Sequence, residues 1–590
     1  MRVTASAPAG ESPRPWPWLA CAAFLACALI PACGGRTSNG ADQAEPGPDT
    51  PHAPGTDCWG DAAGQDGCAP IPLPDTSDQA GPGPDTPHAP DTGCWGDAAG
   101  QDGCAPIPLP DASDTSACGG CQGNAVCVDG NCVGIPSVAW AGSIGGKLMD
   151  LATGAGLAPD GSLVVGGQTM STQLDFDGLG VAVPFGQGSF TTTDAFVARY
   201  TPQGKMAWTF VFGGTGDDRV RALAVDSEGN TVVSGYTTSD LLQVGSKNLE
   251  SAGKMDVFLL RLDPAGTLLW AKRFDGPGDD GVFGMSSGPE GSLSLGGYFN
   301  GPELDLGGEK LKHSSGGGKY DVFVAKFDAQ GNHVWSTALG GSSFSYVHGT
   351  AMNGQGDVFA AGGFEGGKLS TEGLTLTSVG KGDAWVARFG PTGKPVWGKS
   401  YGGPEHDACH SIAIAPDGGV AVVGSFQSPF ISFGGKTFEH VGPSGYHDLF
   451  VVRLDGDGSH TWSTAHGGLD WDLAKNVAVD GAGSVFVGGA FFSPEIDVGG
   501  GPLGPGGPGG EMAEVLLLKL AAGGQHVWSA AFGGPDDDIG YAVAATAGGR
   551  FAAVGSFNGA EGATQGGSID FGTGILPTHG GRDAFLVVFD

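Results

Sequence analysis

A unit written seven times constrains this chain more than any other feature. Beyond Ile135 the sequence repeats itself every 62 to 69 residues, a period that points to an array or a propeller. A tryptophan marks each copy: Trp140, Trp208, Trp270, Trp335, Trp397, Trp462 and Trp528. Each copy also holds a run that opens on an acid and ends on a large apolar residue. These runs are Asp194 to Tyr200, Asp256 to Leu262, Asp321 to Phe327, Asp383 to Phe389, Asp448 to Leu454, Glu514 to Leu520 and Asp583 to Phe589.

The order within a copy is regular. In the second, Trp208 to Phe212 reads as a strand, Gly213 to Asp218 as a turn and Val220 to Asp226 as a strand. After the turn at Ser227 to Asn230 come a strand from Thr231 to Tyr236, a variable loop, and the strand Asp256 to Leu262. Glycine supplies 112 of 590 residues without a Gly-X-Y period, which suits short strands joined by tight turns. A four-stranded sheet cannot bury both faces alone, so the copies must stack on one another. The predicted fold is therefore all-β, a seven-bladed propeller over 137–590. The repeat starts with a lone tryptophan strand, Val138 to Ile144, and ends on an acid-led strand. The ring is thus expected to close by pairing of the two ends, which removes two free sheet edges.

Segments such as Asp321 to Gly341 resemble the bacterial beta-propeller repeat called SBBP, and the resemblance runs through all seven units. It implies the propeller fold and an exported bacterial protein, and little about activity. Three places depart from the pattern: Ser342 to Ser345 lacks the acidic turn, Glu514 replaces Asp, and Val588 replaces the basic residue of the other six strands. The spacing Asp263, Gly266, Trp270 falls one residue short of the tryptophan motif of quinoprotein dehydrogenases, so no quinone cofactor is expected.

Two repeat positions draw attention as sites. The first holds Asp150, Asp218, Asp280, Ser345, Asp407, Asp472 and Asp538, just before the strand expected to be innermost. In a ring, six carboxylates around one mouth of the channel would suit a metal such as Ca²⁺. The plainer reading is that each accepts backbone N–H bonds within its own turn. Three positions further stand Thr153, Arg221, Phe283, His348, His410, Lys475 and Tyr541, chemically varied where the neighbours are uniform. Such variation is expected of a ligand-facing ring and also of a lightly constrained surface. Cys409 aligns with Val220, Val282, Val347, Ala474 and Gly540, so it reads as a small core residue rather than a nucleophile. Neither a Gly-X-Ser-X-Gly elbow nor a His-Glu-X-X-His motif occurs, and no catalytic residue is assigned. The Gly- and Pro-rich tract from Gly499 to Gly510 reads as a loop insertion.

Before the repeats, Arg2 and Arg14 precede an apolar run from Trp18 to Leu29, the length of a signal-peptide core and too short to span a bilayer. Ile30-Pro31-Ala32-Cys33 resembles the lipobox of bacterial lipoproteins, which implies cleavage after residue 32 and lipidation of Cys33. Ordinary signal cleavage nearby is the alternative. Residues 33–117 form an acidic Pro/Gly/Asp-rich tract expected to be a disordered stalk, with a near-perfect duplication of period 36. Its Cys58/Cys68 and Cys94/Cys104, and the knot 118–136 with Cys118, Cys121, Cys127 and Cys132, are disulfide candidates. A zinc site in the last four is the weaker reading.

With 28 Lys and Arg against 63 Asp and Glu, a net charge of −35 excludes a duplex nucleic-acid binder. The expected protein is a monomeric propeller at the cell surface or outer membrane, or secreted, attached to the membrane by its lipid alone. Its expected role is non-catalytic binding or scaffolding of an extracellular protein or polysaccharide. A polysaccharide hydrolase or lyase and an inert envelope component are the alternatives.

Overall fold

The computed structural model describes residues 136–590, apart from 177, 186–191, 252, 315–318, 342, 505–511, 535 and 559–567, and the backbone of 125–128 and 131–134. The chain divides between Ala112 and Ser113, and every described residue belongs to the second part. The signal sequence, Cys33, the whole stalk and Cys58, Cys68, Cys94, Cys104, Cys118 and Cys121 lie outside the described residues. Cys127 and Cys132 stand opposite each other in the backbone register of a hairpin, Ala125–Val128 with Asn131–Gly134.

Seven four-stranded antiparallel sheets follow. Their innermost strands are Asp150–Leu157, Asp218–Val225, Asp280–Ser287, Ser345–Met352, Asp407–Ile414, Asp472–Val479 and Ile539–Ala545. We number the blades 1 to 7 in that order. The tryptophan run predicted from sequence forms the outermost strand of each blade. In blade 7 that strand comes from the start of the repeats: Val138–Gly145 pairs with Arg582–Phe589, and Ser137 and Asp590 exchange backbone hydrogen bonds at 2.9 and 3.2 Å. The ring closes as the repeat phase predicts.

The acid-led third strands are buried along their length in blades 1, 2, 5 and 6. That is the consequence of a sheet sandwiched between two others. Each apolar cluster accordingly joins residues of adjacent blades, as where Val197 and Phe212 of blade 1 meet Val220 and Phe258 of blade 2. Fully burying one such side chain contributes about 1.5–3 kcal/mol, so stacking is the main source of stability.

The variable loop between second and third strands is more ordered than the sequence suggests. In every blade it folds into a small hairpin, for example Leu241–Val244 with Lys247–Glu250. The hairpin can extend the preceding blade: Gln173–Phe176 pairs with the blade 7 outer strand, and Lys368–Thr371 with that of blade 3. The Gly499 to Gly510 tract supplies part of such a hairpin, Ile496–Asp497 with Pro502–Leu503; 505–511 lie outside the described residues.

The repeated tryptophan is a peg between blades. The indole N–H of Trp208 donates to Pro264 O at 3.0 Å in the next blade, and Trp140, Trp270, Trp397 and Trp462 repeat this with Pro202, Ala329, Gly456 and Ala522. Each of these five rings, and Trp335, lies on a glycine in the left-handed region, as Trp208 lies on Gly266 at φ +82. A Cβ there would sit 2.7 Å from the indole, so both the turn and the peg require glycine.

Candidate functional site: the bulge ring of the central channel

The seven innermost strands line one axial channel of about 350 Å³. Each of these strands carries a β-bulge, and the bulged residues are Thr153, Arg221, Phe283, His348, His410, Lys475 and Tyr541. They are the varied position singled out in the sequence. A bulge re-aims the extra side chain and leaves it without a cross-strand partner. All seven are half-buried, and Thr153, Arg221, Phe283 and His348 line the channel.

The bulge depends on a facing glycine. Opposite it in the second strand stand Gly167, Gly235, Gly297, Gly362, Gly424, Gly489 and Gly555. A Cβ on any of them would come within 1.8–2.0 Å of the carbonyl two residues before the bulge. A glycine in all seven copies is therefore part of the device that aims the ring.

Five neighbouring members form a continuous arc over blades 2 to 6. The Arg221 guanidinium lies 5.2 Å from the Tyr236 ring and 5.9 Å from Phe283. Phe283 meets His348 at 5.6 Å, and His348 meets His410 at 5.9 Å. Because a carbonyl only accepts, His348 Nδ1 donates to Cys409 O at 2.8 Å and His410 Nδ1 to Ala474 O at 2.9 Å. Each histidine thus bonds the strand of the next blade, as Thr153 does with Val220 O at 2.7 Å. Their depth disfavours the charged form, and Lys475 beside them adds repulsion, so both histidines titrate below their ordinary value. Burial pulls the Lys475 ammonium down to about 8.

Around this arc the seven-fold regularity breaks. Blade 4, which lacks the acidic turn, places Tyr346 stacked on His348 at 5.8 Å. Tyr298, Tyr320 and Phe344 continue the aromatic group, with Tyr298 to Tyr320 at 4.8 Å and Tyr320 to Phe344 at 5.3 Å. On the far side Ser425 bridges His410 Nε2 and His447 Nδ1, and His447 packs on Trp471 at 4.9 Å. Sequence reasoning missed Tyr298, Tyr320, Tyr346 and His447. Only the missing acid at Ser345 signalled that one blade differs.

The six aspartates of the first candidate position do not gather at the mouth. None lines the channel, and each is at most 3% exposed. Asp150 accepts from Thr169 and Ser171, Asp218 from Thr237 and Ser239, and Asp472 from Gly468 N and Ser493. Asp407 takes Gly403 N, Ser428 and the backbone N–H of Gln427, and Asp538 takes Gly534 N and Asn558 N. Asp280 alone meets no donor at hydrogen-bonding geometry. Among the described residues no group of three or more His, Cys, Asp or Glu is placed to hold a metal ion.

What each of five aspartates does meet is the acid that opens the third strand of the preceding blade. Asp583 faces Asp150, Asp194 faces Asp218, Asp256 faces Asp280, Asp448 faces Asp472 and Glu514 faces Asp538. Burial first, and this repulsion after it, raise Asp150 and Asp472 to about 7 and Asp280 and Asp538 to about 8. Cys409 is fully buried against Gly424, and burial pushes its thiol up, as expected of a core residue.

The fold and site define a seven-bladed β-propeller whose bulge ring breaks the seven-fold symmetry and places Arg221, Phe283 and His348 at the channel. No protein family matches the chain. It is 22% identical over 377 residues, 52% of its length, to an uncharacterised WD repeat-containing protein of Acanthamoeba polyphaga mimivirus, and covers 26% of that protein. It is 28% identical over 164 residues, 27% of its length, to the regulatory protein FlaEY of Caulobacter vibrioides, of which it covers 17%. The chain thus spans about a quarter or less of these relatives. Among solved structures it is similar to the Pan2 WD40 domain of Neurospora crassa at 10% identity and TM-score 0.33, covering 75% of this chain and 97% of that one. It is also similar to Sqt1 of Chaetomium thermophilum at 11% and 0.34, covering 77% and 100%.

Proposed function

We propose that this protein is an exported, lipid-anchored propeller that binds a ligand at the mouth of its central channel, without catalysis. One observation carries the binding reading: seven bulges, each built against a glycine, carry the one chemically varied position of the repeat, and in blades 1 to 4 that position, as Thr153, Arg221, Phe283 and His348, lines the channel. The backbone device is the same in every blade, so the variation lies in the side chains that it presents. The export reading rests on the lipobox-like sequence ending at Cys33, the oxidising-compartment cysteines and the acidic stalk. The ligand is an extracellular polysaccharide or protein group small enough to enter the mouth. Hydrolysis of a polysaccharide by paired carboxylates finds no support in the channel, since no Asp or Glu is among its lining residues.

Labelled full chain applied to an array of extracellular polysaccharides and peptides tests this reading. Binding should be lost on His348→Ala and Phe283→Ala, with the thermal midpoint as the check on folding. Equal binding by folded ring variants would overturn it.

A further inference from the structure

We infer that the bulge ring binds an oxoanion, the negatively charged group of its ligand, through Arg221 and Lys475. The inference rests on the reading of the ring as a binding site and names the chemistry it selects.

A guanidinium stays charged at every accessible pH, and a charge held away from water is costly unless paired. Arginines of the blade strands obey this rule. Arg261 pairs with Asp226, Arg273 with Asp256 at 2.5 Å, Arg388 with Asp357 at 2.7 Å and Arg453 with Asp417. Arg221 is different. Its neighbours are the Tyr236 and Phe283 rings and the Tyr236 hydroxyl at 3.4 Å, and its Nε is buried without a hydrogen-bond partner. Lys475 stands half-buried at the bulge of blade 6, and burial lowers its ammonium with no acid to offset the loss of water.

Both cations occur in a chain with 63 acids, yet the channel that Arg221 lines has no Asp or Glu among its lining residues. Carboxylates are kept out of the place where they would neutralise these charges most directly. An oxoanion from outside would complete the site, because the planar guanidinium fork fits carboxylate, sulfate and phosphate alike. His348 and His410 add to this. With Nδ1 already donating to a carbonyl, uptake of a proton would make Nε2 of His348 a further donor. The Phe283 face lines the site with apolar surface suited to the body of a sugar acid, and Tyr346 stacks on His348. A channel of about 350 Å³ is at the small end of ligand sites, enough for an inorganic ion or one sugar acid and too small for a folded partner.

The test is the thermal midpoint of the full chain at constant ionic strength, with millimolar inorganic phosphate, sulfate, galacturonate or neutral galactose. A ligand that binds only the folded state must raise the midpoint with concentration. We expect a rise with the anions and none with galactose, and a roughly tenfold weaker response in Arg221→Gln and in Lys475→Met, the change expected from losing one charge-assisted contact. Lys475→Met should also raise the midpoint without ligand, since it removes an uncompensated charge, so loss of response in that variant cannot be ascribed to misfolding. Response to galacturonate alone would identify a sugar acid as the source, and response to all three anions a free ion. An equal rise with galactose, an anion response unchanged in both variants, or no response at all would overturn the oxoanion assignment. The ring-variant array test decides separately whether the mouth binds anything.

Discussion

Arg550 donates to the carbonyl of Pro202 at 2.6 Å, across 348 residues of sequence. That oxygen also receives the indole N–H of Trp140 at 3.1 Å. In blades 1, 2 and 4 the same convergence is made by a basic residue of the third strand: Arg199 and Trp208 on Pro264 O, Arg261 and Trp270 on Ala329 O, Arg388 and Trp397 on Gly456 O. Blade 7 has Val588 at that place, and Arg550 supplies the charge from a neighbouring turn. It also pairs with Asp590 at 3.0 Å, so it holds the closing blade at its end.

Arg550→Ala should therefore destabilise the ring where the first and last strands of the repeats meet. A hydrogen bond from a charged group is worth about 1.5–3 kcal/mol, and urea denaturation should show a loss of that order. Arg550→Lys, which keeps the charge and loses the fork, should fall between the wild type and Arg550→Ala. A neutral Arg550→Ala would show that closure rests on strand pairing alone.

The tryptophan peg separates two costs of replacing glycine. Gly393 and Gly418 both lie at positive φ, +81 and +85, but a Cβ on Gly393 would meet Trp335 at 2.7 Å while one on Gly418 would meet nothing within 4 Å. Gly418→Ala should cost the left-handed strain alone, about 1–2 kcal/mol. Gly393→Ala should cost more by the displacement of an indole that is 7% exposed. Equal losses in urea denaturation would mean that the indole moves aside freely.

The ring architecture was legible because stacking forces each copy to keep the same residues: tryptophan, turn glycine, acid-led strand. The varied position could be seen by aligning the copies, since stacking does not hold its side chain to one residue type. Its bulge could not, because a bulge is a property of register between two strands. The aspartates misled in one respect. Repetition showed that nearly every blade wants an acid there, but only the structure shows that it faces the preceding blade's acid, as Asp150 faces Asp583, and not the channel. The aromatic group of Tyr298, Tyr320 and Tyr346 comes from separate segments of two blades, and nothing in the linear sequence brings them together.

The anchor prediction concerns Cys33. If its thiol carries a lipid, Cys33→Ser should move the protein from the membrane fraction to the soluble exported fraction, since the thiol is the point of attachment. Among the described residues no helix is long and apolar enough to cross a membrane. Membrane fractionation with metabolic labelling by a fatty acid measures both effects. Unchanged fractionation and no label in the wild type would exclude the lipid.

The paired carboxylates give stability a definite pH dependence. A carboxyl whose folded pKa is raised holds its proton in the folded state where the unfolded chain has released it. Its contribution is full below the unfolded value of 3.8 and is lost as pH rises through the folded value. For Asp150 and Asp472 that folded value is about 7, and for Asp280 and Asp538 about 8. The buried histidines act in the opposite sense. His348, His410 and His447 titrate below 6.5 when folded, so their contribution is present above 6.5 and is lost as pH falls toward their folded values. The two sets oppose each other at acid pH. Above 6.5 the carboxyls set the trend, and Lys475, lowered to about 8, adds an opposing rise only as pH passes that value. The thermal midpoint should therefore fall between about pH 6.5 and 8, the range set by these values. Asp280→Asn, which keeps the shape without the charge, should flatten part of that fall. We expect calcium followed by chelator to leave the curve unmoved, because the acids stand in separate pairs rather than in one cluster. A midpoint that rises over the same range would show that these carboxyls are ionised in the folded protein and held by something other than a proton.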